Sequence, residues 1–116
     1  MNRAKIILAA SLLAFAHAAP AQGAPRSEQV KSGSETYARH CAACHGPDGN
    51  KPSAPDQPIL AGQYYDYLVR ALGDYKNGRR NNAIMKGFAE QLSKQDIEDL
   101  AAWFSSQAKT SLHDQR

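Results

Sequence analysis

The chain has 116 residues, of which 42% are hydrophobic and 22% are charged, enough for one domain but not two. Its formal net charge of +3 includes Arg3 and Lys5 in the N-terminal segment. Without these two, 12 basic residues face 11 acidic ones. The balance excludes the polybasic character of a nucleic-acid-binding protein, and it gives little reason to expect attraction to a membrane surface.

The N-terminal segment has the order of a secretory signal peptide. Two basic residues precede an apolar run over residues 6–16, and small residues follow. This run is shorter than the roughly 20 residues that span a bilayer, so we expect no stable membrane span. We predict a signal peptide over residues 1–23, cleaved after Ala18 or Gly23, and a periplasmic protein. A short N-terminal helix kept as an anchor is the alternative.

A flexible N-terminal tail is predicted at residues 24–32, followed by one domain over residues 33–116. No segment shows the alternating β-branched pattern of a strand, so the predicted fold class is all-α. The first helix is predicted to run from about Gly33 into Cys44.

The only two cysteines, Cys41 and Cys44, lie in the sequence CAACHG, and His45 follows them directly. Structural zinc usually requires two separated ligand pairs, and a redox dithiol begins a helix after a strand; neither context is present. A disulfide here would close too small a loop to stabilise much. Cys-x-x-Cys-His is the attachment signature of c-type haem, because thiols one helical turn apart can bond two vinyl groups on one macrocycle edge. We therefore expect one covalent haem c, with thioether bonds to both cysteines and His45 as an axial iron ligand.

The segment after this motif is predicted as a long loop. Residues 46–62 contain four prolines and three glycines, which exclude regular structure. A second, amphipathic helix is predicted within residues 62–78, and a third within residues 93–107, where Ser93 and Asp96 form a capping box. Three short helices offer a poor core, and a large apolar cofactor would supply the missing contacts.

Residues 76–87 are predicted as a loop that carries the second iron ligand. Met85 is the only methionine left once the signal peptide is removed, and a thioether is a soft ligand for haem iron. Core packing is the structural alternative for this side chain. His40 and His113 are rival ligands, but the first adjoins the attachment site and the second lies in a polar tail. Four basic residues of this loop either help to dock an acidic partner or are simply solvated: Lys76, Arg79, Arg80 and Lys86.

From Gly33 to Gln107 the sequence resembles the class I cytochromes c, especially small bacterial one-haem cytochromes and one half of their two-haem relatives. The resemblance implies a class I cytochrome c fold, with about three main helices and long loops wrapped around one covalently bound haem. It also implies that Gly33 lets the first helix approach the last one, where Trp103 matches an aromatic of the family. The matching motifs are Gly33 and Tyr37 before Cys41, PILAGQ at 58–63 and RNNAIMKGF at 80–88.

The resemblance also implies roles around the cofactor. The carbonyl of Pro58 would accept a hydrogen bond from the far nitrogen of His45, and Leu60 would pack against the haem. Met85 falls on the axial-ligand position. Phe88 stands where relatives often have a second methionine, which favours Met85 as the ligand.

For function, the resemblance implies a soluble electron carrier rather than an enzyme. We expect a monomer that exchanges single electrons with redox protein donors and acceptors. One alternative is a haem c subunit of a larger periplasmic dehydrogenase or oxidase complex. A ligand-binding haem protein, less favoured, would need an open or displaceable sixth position on the iron.

Overall fold

The computed structural model describes residues 25–107, which form five α-helices and contain no β-strand. The predicted all-α class is thereby confirmed. Within these residues no helix is both long and apolar enough to cross a bilayer. The predicted signal peptide and the rival ligand His113 lie outside the described residues. The helices are α1 (Ser27–His40), α2 (Ala42–His45), α3 (Tyr65–Lys76), α4 (Ala83–Ala89) and α5 (Lys94–Ser106).

The first helix begins earlier than predicted. Residues 27–32, assigned from sequence to a flexible tail, form the first turns of α1. Gln29 accepts a hydrogen bond from the backbone N–H of Arg26 at 3.4 Å, and Glu28 places a negative charge in the first turn, where the helix dipole favours it. The Pro- and Ala-rich composition just upstream is typical of a loop, so the sequence did not predict the start of this helix.

The attachment helix is not continuous, contrary to the prediction. The backbone of Cys41 leaves helical geometry, at φ −122° and ψ −30°, and separates α1 from the single turn of α2. The hydrogen bonds continue across the break, from the N–H of Cys41 to the carbonyl of Tyr37 at 2.8 Å and from the N–H of His45 to the carbonyl of Cys41 at 3.0 Å. Both thiols therefore remain within one turn of each other.

The core lies where α1 crosses α5. A Cβ atom at Gly33 would collide with the carbonyl oxygen of Asp99 and with Cβ of Trp103, so glycine allows the close approach that the resemblance implied. The ring of Tyr37 lies 4.5 Å from that of Trp103 and 5.2 Å from that of Phe104, between centroids. These aromatic contacts fix the helix that carries the cysteines to the last helix.

The predicted second and third helices are confirmed with shorter ends. The predicted capping box at the start of α5 is also present: Ser93 Oγ accepts from the N–H of Asp96 at 3.0 Å, and Asp96 Oδ2 accepts from the N–H of Ser93 at 2.8 Å. Helix α3 packs against both α5 and α4. Leu68 on α3, Leu92 before α5, and Ile97 and Leu100 on α5 join the aromatic cluster.

A short helix, α4, occupies part of the predicted 76–87 loop, so the assignment of Met85 to a loop was wrong. Asn82 caps this helix, because its Oδ1 accepts from the backbone N–H of Met85 at 3.0 Å. Only Ala89 of α4 is buried, and Gly87 lies inside the helix. The apolar pattern of this segment is therefore too short to predict a helix. The Asn82 cap and the contact with α3 stabilise the helix instead.

The long loop has no helix or strand, as predicted, but backbone hydrogen bonds hold it in place. The N–H of Ser53 donates to the carbonyl of Cys44 at 2.9 Å, and the N–H of Leu60 donates to that of Gly49 at 2.8 Å. The loop is thereby folded back over α2.

Candidate haem-binding site

A cavity of about 460 Å³ opens between α2, the long loop, α3 and α4. Its volume lies within the roughly 300–1,000 Å³ of ordinary cofactor and ligand sites. Apolar side chains from α3 and α4 form much of its wall. All six residues selected from the sequence line it: Cys41, Cys44, His45, Pro58, Leu60 and Met85.

Both cysteines are free thiols and half-buried on the cavity wall. Burial raises the pKa of the Cys41 thiol to about 11, and the neighbouring Cys44 adds to the shift. Catalytic Cys-x-x-Cys motifs do the opposite and stabilise a thiolate. The pair therefore lacks the stabilised thiolate that disulfide exchange requires.

The imidazole of His45 is buried, with 7% of the residue exposed, and it is oriented by the long loop. Its Nδ1 lies 3.1 Å from the carbonyl oxygen of Pro58. Because a carbonyl oxygen can only accept, Nδ1 must be the donor of this bond. The neutral ring then keeps an unprotonated Nε2, which is the nitrogen that can bind a metal.

Met85 approaches the same cavity from the first turn of α4, and it is half-buried. Its neighbours Ile84 and Phe88 also line the cavity, although they are 71% and 40% exposed. Large apolar side chains left uncovered at a cavity mouth favour an apolar ligand there. The rival residue His40 lines the cavity as well, but it is exposed and directly precedes Cys41.

Sequence reasoning missed a cation in the cavity wall. The guanidinium of Arg80 stacks 4.7 Å above the ring centroid of Tyr75, and Nη1 donates to the hydroxyl of Tyr67 at 3.3 Å. The bond to Tyr67 raises the pKa of Arg80, so the side chain stays charged. The sequence offers no signal that separates Arg80 from Arg79, which instead pairs with Asp74 at 2.8 Å on the surface.

The other basic residues of the 76–87 segment also have partners within the chain. Lys76 donates to backbone carbonyls beyond α4, and Lys86 lies 3.6 Å from Glu90 on the same helix. Each of the four cations therefore has a partner within the chain, which does not favour a common docking role for them.

The donors around the cavity fit a covalently bound haem. Two thiols line the wall, an imidazole has a free Nε2, a thioether approaches on α4, and a guanidinium can neutralise a carboxylate. Within residues 25–107, no cluster of three or more His, Cys, Asp or Glu side chains is arranged to hold a metal ion. An apolar, porphyrin-sized partner is the group that these side chains suit.

Comparisons with known proteins agree with this geometry. The family described as Cytochrome c matches residues 30–108. Cytochrome c4 of Pseudomonas aeruginosa is 43% identical over 102 residues, which cover 88% of this chain and 46% of that protein. The cytochrome subunit of sulfide dehydrogenase of Chlorobaculum tepidum is 33% identical over 109 residues, covering 94% of this chain and 97% of that protein.

Solved structures give the same result. The reduced recombinant cytochrome c4 of Pseudomonas stutzeri superposes with a TM-score of 0.65 at 29% identity, over 74% of this chain and 52% of that one. The chain spans about half the length of the cytochromes c4 of P. aeruginosa and Azotobacter vinelandii that it matches. With the family match over most of the described residues and the class I cytochrome c4 fold, this chain belongs to the class I c-type cytochromes of the cytochrome c family.

Proposed function

We propose that the protein transfers single electrons through one haem c, bonded to Cys41 and Cys44 and ligated by His45 and Met85. The observation that carries the proposal is the bond from His45 Nδ1 to the Pro58 carbonyl, which leaves Nε2 free in the cavity that Met85 also lines. When bound, the haem supplies a one-electron iron couple, whose potential His/Met ligation raises. The protein supplies burial, ligation and orientation.

The cavity wall supports this role with residues of complementary chemistry. Leu60 and the apolar side chains of α3 would exclude water from a bound haem, and this would favour the less charged state of its iron. Arg80, held by Tyr67 and Tyr75, is placed to neutralise an acidic substituent of the haem. With His45 and Met85 both bound to it, the iron would have no open site for a substrate, so we assign a carrier rather than an enzyme.

We further propose that the protein is exported to the periplasm, as a monomer with a single haem. The signal-like order of residues 1–23 supports export, and the single Cys-x-x-Cys-His motif supports one haem. Its partners would be redox proteins that donate and accept single electrons.

A haem subunit of a larger dehydrogenase is the second candidate. The observation that favours it is the match to the C. tepidum cytochrome subunit over 97% of that protein's length. Size-exclusion chromatography of native extract distinguishes a free carrier from a subunit of a complex. A free carrier elutes at the size of one domain, whereas a subunit co-elutes with a partner protein.

The Met85→Ala substitution tests the proposed ligand set. We expect the oxidised protein to lose its far-red iron–sulfur absorption band, and its reduction potential to fall by on the order of 0.1 V, because the thioether no longer stabilises ferrous iron. Spectroelectrochemistry of the purified haem-loaded protein measures both and checks that one electron is exchanged per haem.

Ile84→Ala is the matched control, since it removes a cavity-lining side chain of the same helix without a sulfur atom. This variant should keep the band. Retention of both band and potential in Met85→Ala would show that another group occupies the sixth position.

A further inference from the structure

The ammonium of Lys76 connects the end of α3 to the end of α4. Its Nζ donates to the carbonyl of Glu90 at 3.1 Å and to that of Leu92 at 2.5 Å. Glu90 is the C-terminal cap of α4, where backbone carbonyls have no partner within their own helix. A positive charge at this position also complements the negative end of the helix dipole.

Helix α4 depends on such external contacts. It has only seven residues, well below the roughly 12–15 at which an isolated helix becomes marginal in water, and Gly87 weakens it further. Apart from half-buried Met85 and buried Ala89, its residues are exposed. The ion pair between Lys86 and Glu90 lies within the helix and does not attach it to anything else.

Helix α3, by contrast, is a fixed wall of the cavity. Leu68 belongs to the core, while Leu72 and Tyr75 line the cavity between the core and Lys76. A residue that attaches the C-terminal end of α4 to α3 therefore helps to hold in place the helix that carries Met85.

We propose that Lys76 is a positioning residue for the sixth iron ligand. By holding the C-terminal end of α4 on α3, opposite the Asn82 cap, it keeps the thioether of Met85 on the iron against competing ligands. This inference rests on the proposed function, in which Met85 is that ligand.

The test measures how readily added imidazole replaces the sixth ligand in the purified, oxidised, haem-loaded protein. Lys76→Met removes the ammonium but keeps an apolar stem. We expect its dissociation constant for imidazole to fall about three- to tenfold, because the net contribution of one intramolecular hydrogen bond at a partly exposed site is of this order. In Lys76→Gln, whose amide can still donate to a carbonyl, the dissociation constant for imidazole should fall by a smaller factor.

Lys94→Met is the matched control, because Lys94 is 90% exposed and pairs only loosely with Glu98, at 3.7 Å. It should bind imidazole as the wild type does. Met85→Ala, which lacks the thioether, sets the upper limit of the affinity for imidazole. The free energy of unfolding of each variant is measured in parallel by denaturant titration.

The outcomes separate the two proposals. If Met85→Ala binds imidazole more tightly but both Lys76 variants bind it as the wild type does, the positioning role is overturned and the ligand assignment stands, even if unfolding becomes easier. If Met85→Ala itself binds imidazole as the wild type does, the ligand assignment fails and the role of Lys76 fails with it. Should Lys76→Met not accumulate, the affinity of Lys76→Gln decides in the same way.

Discussion

At the scale of single residues, Tyr37 links the core to the turn that carries the Cys-x-x-Cys-His motif. Its side chain is 1% exposed, and its hydroxyl donates to the carbonyl of Gly46, the residue that directly follows His45. Burial raises the pKa of Tyr37 to about 12. One buried phenol thus helps to fix the end of α2, which carries His45, the proposed iron ligand.

The raised pKa predicts a loss of stability in alkali. Between pH 10 and 12 the unfolded tyrosine ionises while the folded one keeps its proton, so the free energy of unfolding falls as the pH rises. The slope from this group approaches about 1.4 kcal/mol per pH unit. Tyr37→Phe should lose this contribution, and at neutral pH it should be about 1–2 kcal/mol less stable, because the Gly46 carbonyl loses a donor.

Urea unfolding of the haem-loaded protein at pH 7, 10 and 11, followed by circular dichroism, checks both effects. Tyr64→Phe, at a position that is 67% exposed, is the control and should decline in alkali as the wild type does. An equally steep decline in Tyr37→Phe would assign the alkaline transition to other groups.

At the scale of elements, the crossing of α1 and α5 is what carries Cys41 and Cys44 to the cavity. The helices approach closely because Gly33 has no side chain to meet the backbone of Asp99. Close contact brings Tyr37 onto Trp103 and Phe104, so the position of the turn that carries the Cys-x-x-Cys-His motif depends on this crossing.

Gly33→Ala should therefore destabilise the protein, although alanine is the better helix former. The added methyl must push α1 from α5, at a cost of at least about 1–3 kcal/mol, the range for an overpacked core. Gly73→Ala is the control, since no atom lies within 4 Å of the added methyl, and it should be neutral or stabilising by up to about 1 kcal/mol. Thermal and denaturant unfolding of both variants measure the difference. If both substitutions changed the free energy of unfolding equally, the crossing of α1 and α5 would tolerate a side chain at residue 33.

At the scale of the whole molecule, the cofactor cavity takes the place of much of a normal core. The buried apolar side chains gather on the α1–α5 side, while the half-buried or exposed Leu60, Leu72, Met85 and Phe88 face the cavity. A small domain with so little internal packing has little free energy of folding to spare.

The haem-free chain should therefore lack a cooperatively folded state. We expect the signal-free chain, made in a cell without haem-attachment machinery, to lose much of its far-UV helical signal and to unfold without a sharp transition. The haem-loaded protein, measured by circular dichroism under the same conditions, is the reference. A sharp thermal transition in the haem-free chain would show that the α1–α5 core suffices for folding.

The sequence alone was enough to propose the chemistry of this protein and to predict most of its helices. Haem attachment at Cys41, Cys44 and His45 could be proposed from the sequence because the spacing of their functional groups is local. The capping box of Ser93 and Asp96 is likewise local, and the α3 and α5 segments show helical apolar periodicity.

The tertiary structure decided what depends on contacts between distant segments. Helix α4 forms because Asn82 caps it and Lys76 holds its far end, and a seven-residue apolar pattern does not reveal either interaction. The split at Cys41 depends on a backbone geometry with no sequence signature. Arg80, rather than Arg79, enters the cavity wall because folding brings the rings of Tyr67 and Tyr75 beside it.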